Sequence, residues 1–124
     1  DSRMTPGAFV ERFGREKASA ILRTDDQERA AQAMEAAIRG GFTVVEFTLT
    51  VPGVFDLVWE FSQRSGVVVG TGTVMEEHEA RQSVAAGARF LVSPVVDERV
   101  IAAANDAGLA MVFTGVRQPV LAWL

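Results

Sequence analysis

Three times along this chain a helix-spaced segment halts on glycine and an apolar, β-branched run begins almost at once. The junctions are Gly40-Gly41, Gly87 and Gly108. The stretches Ile38-Arg-Gly-Gly-Phe-Thr-Val44 and Ala86-Gly-Ala-Arg-Phe-Leu-Val92 show the device as a near-repeat. Glycine stops a helix because it accepts the left-handed backbone of a C-cap. A strand that starts immediately afterwards leaves room only for a short αβ turn, so successive strands run in parallel. Every strand then ends on the same side of the sheet, and so does every following loop.

The rest of the chain fits this cycle. Thr5-Pro6 can cap and open a first helix through about Glu16, with Phe9, Val10 and Phe13 on one face. Ala18-Ser19-Ala20-Ile21-Leu22 is a short apolar run ending at Arg23. Thr24-Asp25-Asp26 then offers capping side chains to a helix with Ala30, Met34, Ala37 and Ile38 at helical spacing. Strand 43–48 leads to a helix carrying Val54, Leu57, Val58 and Phe61, and strand 67–70 to a helix from about Glu76 to Ala86. Strand 89–92 leads to a helix over 97–107, strand 109–113 follows, and Pro119–Leu124 suggests a last helical turn. One helix followed by five β/α units, with no linker between them, predicts a single α/β domain over 1–124.

Composition excludes several classes. A formal net charge of −4 with scattered arginines argues against a nucleic-acid or anionic-membrane surface. The absence of cysteine removes disulfides, thiolate metal sites and cysteine nucleophiles. No apolar run approaches a membrane span or a signal-peptide core, so a cytoplasmic or organelle-matrix location is expected. Asp1-Ser2-Arg3 ahead of Met4 reads as a remnant of processing. The only histidine, His78, stands in Glu76-Glu77-His78-Glu79, which suits a solvated helix start better than a metal site.

Glu46 stands out chemically. It lies in Gly41-Phe-Thr-Val-Val-Glu-Phe-Thr-Leu-Thr50, a run suited to burial on both faces, where an unpaired charge is costly. Such a carboxyl either finds a partner, with Arg23 at the neighbouring strand end as a candidate, or titrates near neutrality and moves protons. Gly70-Thr71-Gly72-Thr73 reads either as an anion cradle of backbone N–H groups and a hydroxyl, or as a tight turn. It is not a dinucleotide fingerprint, because Met75 occupies the third glycine position. Arg23, Glu46, Thr48, Thr50, Thr73 and Ser93-Pro94 all fall at or near the strand C-termini, where α/β folds bind ligands. Trp59 and Phe61, within a helical apolar pattern, suit a core or a subunit interface.

Four of these segments in register resemble the 2-keto-3-deoxy-6-phosphogluconate (KDPG) and 2-keto-4-hydroxyglutarate aldolases. They are Ala20-Ile-Leu-Arg23, Gly40–Thr50, Gly70-Thr-Gly-Thr-Val74 and Ala86–Pro94, and the likeness runs from about residue 5 to residue 112. The resemblance implies units of a (β/α)8 TIM barrel, incomplete at about five strands, with a flattened doubly wound sheet as the alternative. It implies a homotrimer with no cofactor and no metal. The activity implied is retro-aldol cleavage of KDPG to pyruvate and glyceraldehyde 3-phosphate through a lysine Schiff base. Carried over, Glu46 is the proton-transfer residue, and Thr73 with the Gly72 amide holds the pyruvyl carboxylate. Arg23 sits at the substrate's polar end and Pro94 shapes the pocket wall; Thr48 and Thr50, at the same strand ends, are further substrate-binding candidates. Thr50 stands where some relatives have arginine.

The resemblance also implies a Schiff-base lysine on a sixth strand, beyond the five units read here. Lys17 is the single lysine, and it precedes the first strand. A strand of four or five residues puts about 15 Å between its two ends, which separates Lys17 from Glu46. Phe113-Thr-Gly-Val-Arg-Gln-Pro119 departs from the family's Pro-Gly and Thr-Pro pattern after strand five. The expectation is therefore a truncated relative. It either cleaves KDPG-like substrates in an assembly that completes the barrel, or binds a small 2-keto acid such as pyruvate without turnover.

Overall fold

The computed structural model describes residues 4–114. Helix α1 (Pro6–Glu16) comes first, followed by β1 (Ala20–Leu22), α2 (Gln27–Arg39), β2 (Val44–Thr48), α3 (Val54–Ser62) and β3 (Val68–Gly72). Helix α4 (Glu77–Ala85), β4 (Phe90–Ser93), α5 (Glu98–Asp106) and β5 (Ala110–Phe113) complete the described chain. The helical turn expected over Pro119–Leu124 lies outside the described residues.

All five strands are parallel and lie in the order β1-β2-β3-β4-β5. This order settles the architecture. A doubly wound sheet must reverse direction once to place helices on both faces. Here each crossover steps the same way with the same hand, so α2 to α5 cover one face. The flattened alternative is thereby corrected to an open segment of a β/α barrel.

Side-chain parity divides the core in two. Val45, Phe47, Val69 and Leu91 point to the helices and meet Met34, Leu57, Val58, Phe61, Val100 and Ala104. Val44, Val68, Phe90, Val92 and Ala110 point to the other face, where Phe9 of α1 covers them. The Phe9 ring stacks on Phe90 at 4.6 Å between centroids. Helix α1 therefore seals part of the face that a barrel encloses. Its local logic is sound: Thr5 caps it through the Ala8 N–H and Pro6 opens it.

One reading changes in the structure. Strand β3 extends through Gly72, so Gly70-Thr71-Gly72 is strand and the turn begins at Thr73. Of the two aromatics read as core or subunit interface, Phe61 is core and Trp59 is 58% exposed on α3, which leaves the core reading to Phe61 alone. Val10 is exposed but lines the same cavity as Phe9 and Phe13, on the one face expected of the three.

Candidate functional site

Strand β2 is buried at all five positions, and Glu46 is at its centre with 5% of its surface exposed. Its parity puts it on the inner face, level with Ile21 of β1 and Gly70 of β3. The carboxylate runs along the sheet to Gly72. A Cβ added to Gly72 would stand 1.7 Å from Glu46 Oε2. The glycine thus makes the space that the acid occupies. Gly70 does the same for the Phe90 ring, which a Cβ would meet at 2.6 Å. Both glycines permit close approach within a strand, which the turn or cradle readings did not anticipate.

Burial raises the Glu46 carboxyl from 4.5 to about 7, and the Arg23 guanidinium opposes that rise. Removing water from around a carboxylate disfavours its charged form, and here that effect outweighs the nearby cation. The direct Arg23–Glu46 ion pair considered from sequence is not formed. Arg23 Nη2 instead donates to Thr73 Oγ1 at 3.4 Å, at the exposed rim. No ion pair engages Arg23 among the described residues.

Thr73 holds φ at 62°, a left-handed conformation that is costly for a β-branched residue. The flanking backbone explains how it is kept there. Gly72 O accepts from Leu49 N–H at 2.9 Å, and Val74 N–H donates to Val92 O at 3.0 Å. Both sides of the turn are therefore tied to neighbouring strands, and the residue between them absorbs the mismatch. Strain of this kind, set by its surroundings, concentrates at ligand-contacting turns.

The remaining rim residues spread around this centre. Thr48 is buried on the inner face, and its hydroxyl meets that of the exposed Thr50 at 2.8 Å. Ser93 Oγ donates to Val95 O at 2.7 Å and accepts from Val95 N–H, a turn that projects Pro94 outward, exposed. Glu46, Gly72, Thr73 and Arg23 are linked by these contacts, whereas Pro94 and Thr50 stand at the open edge. Sequence reading missed Ile21, the cross-strand neighbour of Glu46, which is 56% exposed on the inner face. A three-residue strand is too short for alternation to reveal its parity. Lys17, the left-handed C-cap of α1, lies before β1 at the N-terminal edge. His78 is exposed and contacts Glu76, away from Glu46.

Among the described residues, no group of three or more histidine, aspartate or glutamate side chains could hold a metal. None of the described helices is long and apolar enough to cross a membrane. The arrangement can therefore offer one acid near its titration midpoint, a hydroxyl, strand-end N–H groups and a cation.

Known proteins share this architecture. The solved KDPG aldolase of Legionella pneumophila, with pyruvate captured as a covalent carbinolamine, superimposes with a TM-score of 0.72 at 27% identity. That match covers 87% of this chain and 52% of the other. The KDPG aldolase of Zymomonas mobilis ZM4 with 3-phosphoglycerate gives 0.69 at 29% identity, over 77% and 46%. Among curated sequences, the 2-dehydro-3-deoxy-phosphogluconate aldolase of Zymomonas mobilis is 35% identical over 74 residues, 60% of this chain and 36% of that protein. A probable 2-dehydro-3-deoxy-6-phosphogalactonate aldolase of Rhizobium meliloti is 33% identical over 92 residues, 73% of this chain and 43% of that protein. The chain spans less than half the length of these curated relatives. The family model for KDPG and KHG aldolase matches residues 10–121. With the parallel strand order and the structural matches, this shows that the chain belongs to the KDPG and KHG aldolase family.

Proposed function

We propose that these five β/α units carry the 2-oxo-acid-binding and proton-transfer half of an aldolase site. The observation behind this reading is the buried carboxyl of Glu46, raised to about 7 beside the strained Gly72-Thr73 turn. A small 2-oxo acid such as pyruvate would place its carboxylate between Arg23 and the Thr73 hydroxyl, with its carbonyl toward Glu46. Titrating near neutrality, one group can both give and take a proton.

The chemistry uses this acid repeatedly. An amine adds to the carbonyl carbon, and Glu46 protonates the oxygen to give a carbinolamine. A further proton expels water and leaves an iminium ion. In cleavage, the bond between C3 and C4 breaks and its electron pair flows into the iminium nitrogen. The C4 hydroxyl becomes an aldehyde as its proton leaves to the base. Lys17 stands at the opposite edge of the sheet from Glu46, and on this reading the Schiff-base amine is a lysine that these five β/α units do not supply. By the same reading, cleavage of a KDPG-like substrate belongs to the completed barrel.

The position of Lys17 also favours a second reading for the 124 residues alone: binding without turnover. Calorimetry with pyruvate, followed by borohydride treatment and mass spectrometry, tests both. Pyruvate binding is expected, with no trapped adduct except at Lys17 or the amino terminus. Thr73→Val should weaken binding about tenfold or more, the loss of a hydrogen bond to a charged group, while His78→Ala should not. Absence of binding heat, or unchanged binding by Thr73→Val, would remove the proposal.

A further inference from the structure

Arg23 and Glu46 approach the same short turn from two sides without meeting. The guanidinium lies over Thr73 at 3.4 Å, near the outer limit of a hydrogen bond and so readily released. The carboxyl lies against Gly72, one residue away, and neither it nor Arg23 is held in an ion pair among the described residues. The groups facing Glu46 across the sheet, Ile21 of β1 and Gly70 and Gly72 of β3, carry no charge. Arg23 is the charged group that acts on it.

A cation so placed has two claims on it. In the free site it acts, at a distance, on the buried carboxyl of Glu46. A ligand carboxylate arriving at Thr73 makes a stronger claim, because guanidinium and carboxylate pair in a planar fork. Once the guanidinium pairs with the ligand, little of its positive field reaches Glu46, which remains buried.

We propose that Arg23 is a positioning residue that couples ligand charge to the protonation of Glu46: a carboxylate docking at Thr73 draws the guanidinium onto itself, and Glu46 takes up a proton from solvent. The inference rests on the proposed 2-oxo-acid reading of the same site. One negative charge enters with the ligand, and near neutrality the proton uptake at Glu46 offsets part of it. No covalent bond is made in this step. Its consequence is timing: the acid that carbinolamine dehydration requires is loaded as the ligand arrives.

Carboxyl-labelled glutamate lets NMR follow Glu46 from pH 5 to 9, with and without pyruvate at a concentration that calorimetry shows to be saturating. Glu46→Gln assigns the resonance. Wild-type protein is expected to show a midpoint that rises by about one pH unit on pyruvate binding, the scale of one neighbouring charge. R23Q should start from a higher midpoint without ligand and respond to pyruvate less than half as far, with R23K intermediate. A residue of merely structural importance would leave these midpoints unmoved. Binding heat with an unmoved Glu46 midpoint, or an equal rise in R23Q, overturns this inference alone. Absence of binding heat instead overturns the 2-oxo-acid reading and the coupling with it.

Discussion

At the scale of single residues, Glu46 sets stability against chemistry. In an unfolded chain its carboxyl would titrate at 4.5, but in the fold it does so at about 7. Below the first value both states are protonated, and stability owes nothing to this group. Between the two the folded state binds more protons than the unfolded one, so stability falls as pH rises. Above the second value the loss is complete, on the order of 3 kcal/mol for a difference of this size. Urea denaturation of the wild type should therefore show stability declining from pH 5 to pH 8, and Glu46→Gln should flatten that decline. Asp97, held below the ordinary carboxylate range by its hydrogen bonds from Arg99, contributes only at lower pH. A wild-type profile as flat as that of the variant would place Glu46 in water. Thr73 belongs to the same economy, since its left-handed backbone is maintained by bonds to β2 and β4 on either side.

At the scale of elements, β3 and α1 carry the arrangement. Strand β3 brings two glycines to the inner face, one under the acid and one under Phe90. A side chain at Gly72 would expel the carboxyl from the place where burial acts on it. Helix α1 then closes the inner floor through Phe9, whose ring is stacked on Phe90 and 2% exposed. Phe9→Ala removes a buried aromatic from a site that two elements share. It should cost about 3–5 kcal/mol, read as a lower urea midpoint with an unchanged slope. A loss under 1 kcal/mol would show that α1 is only loosely seated. The β/α alternation was legible in sequence because caps and glycine stops mark each junction, as at Asp26, Gly87 and Gly108. The extension of β3 to Gly72 was not, because glycine reads locally as turn, and only the acid and the ring beside it explain its place in a strand.

At the scale of the molecule, β1 and β5 are the outer strands of the described sheet. Their outward backbone groups lack strand partners there, and such edges invite pairing with another chain. The 124-residue chain is therefore expected to associate at micromolar concentration, with sedimentation coefficients that rise with concentration. A monomer throughout that range would show that the edges are protected.

The sequence by itself determined the cycle of β/α units, the shared rim where candidate residues gather, and the chemical oddity of Glu46, because helix stops, strand runs and a lone acid are local features. Only the tertiary structure decided that the strands follow in sequential order, that α1 covers the inner face, and that Arg23 reaches Thr73 rather than Glu46. Those outcomes depend on which faces pack together and how deeply a carboxyl is buried, and both are properties of residues far apart in the chain.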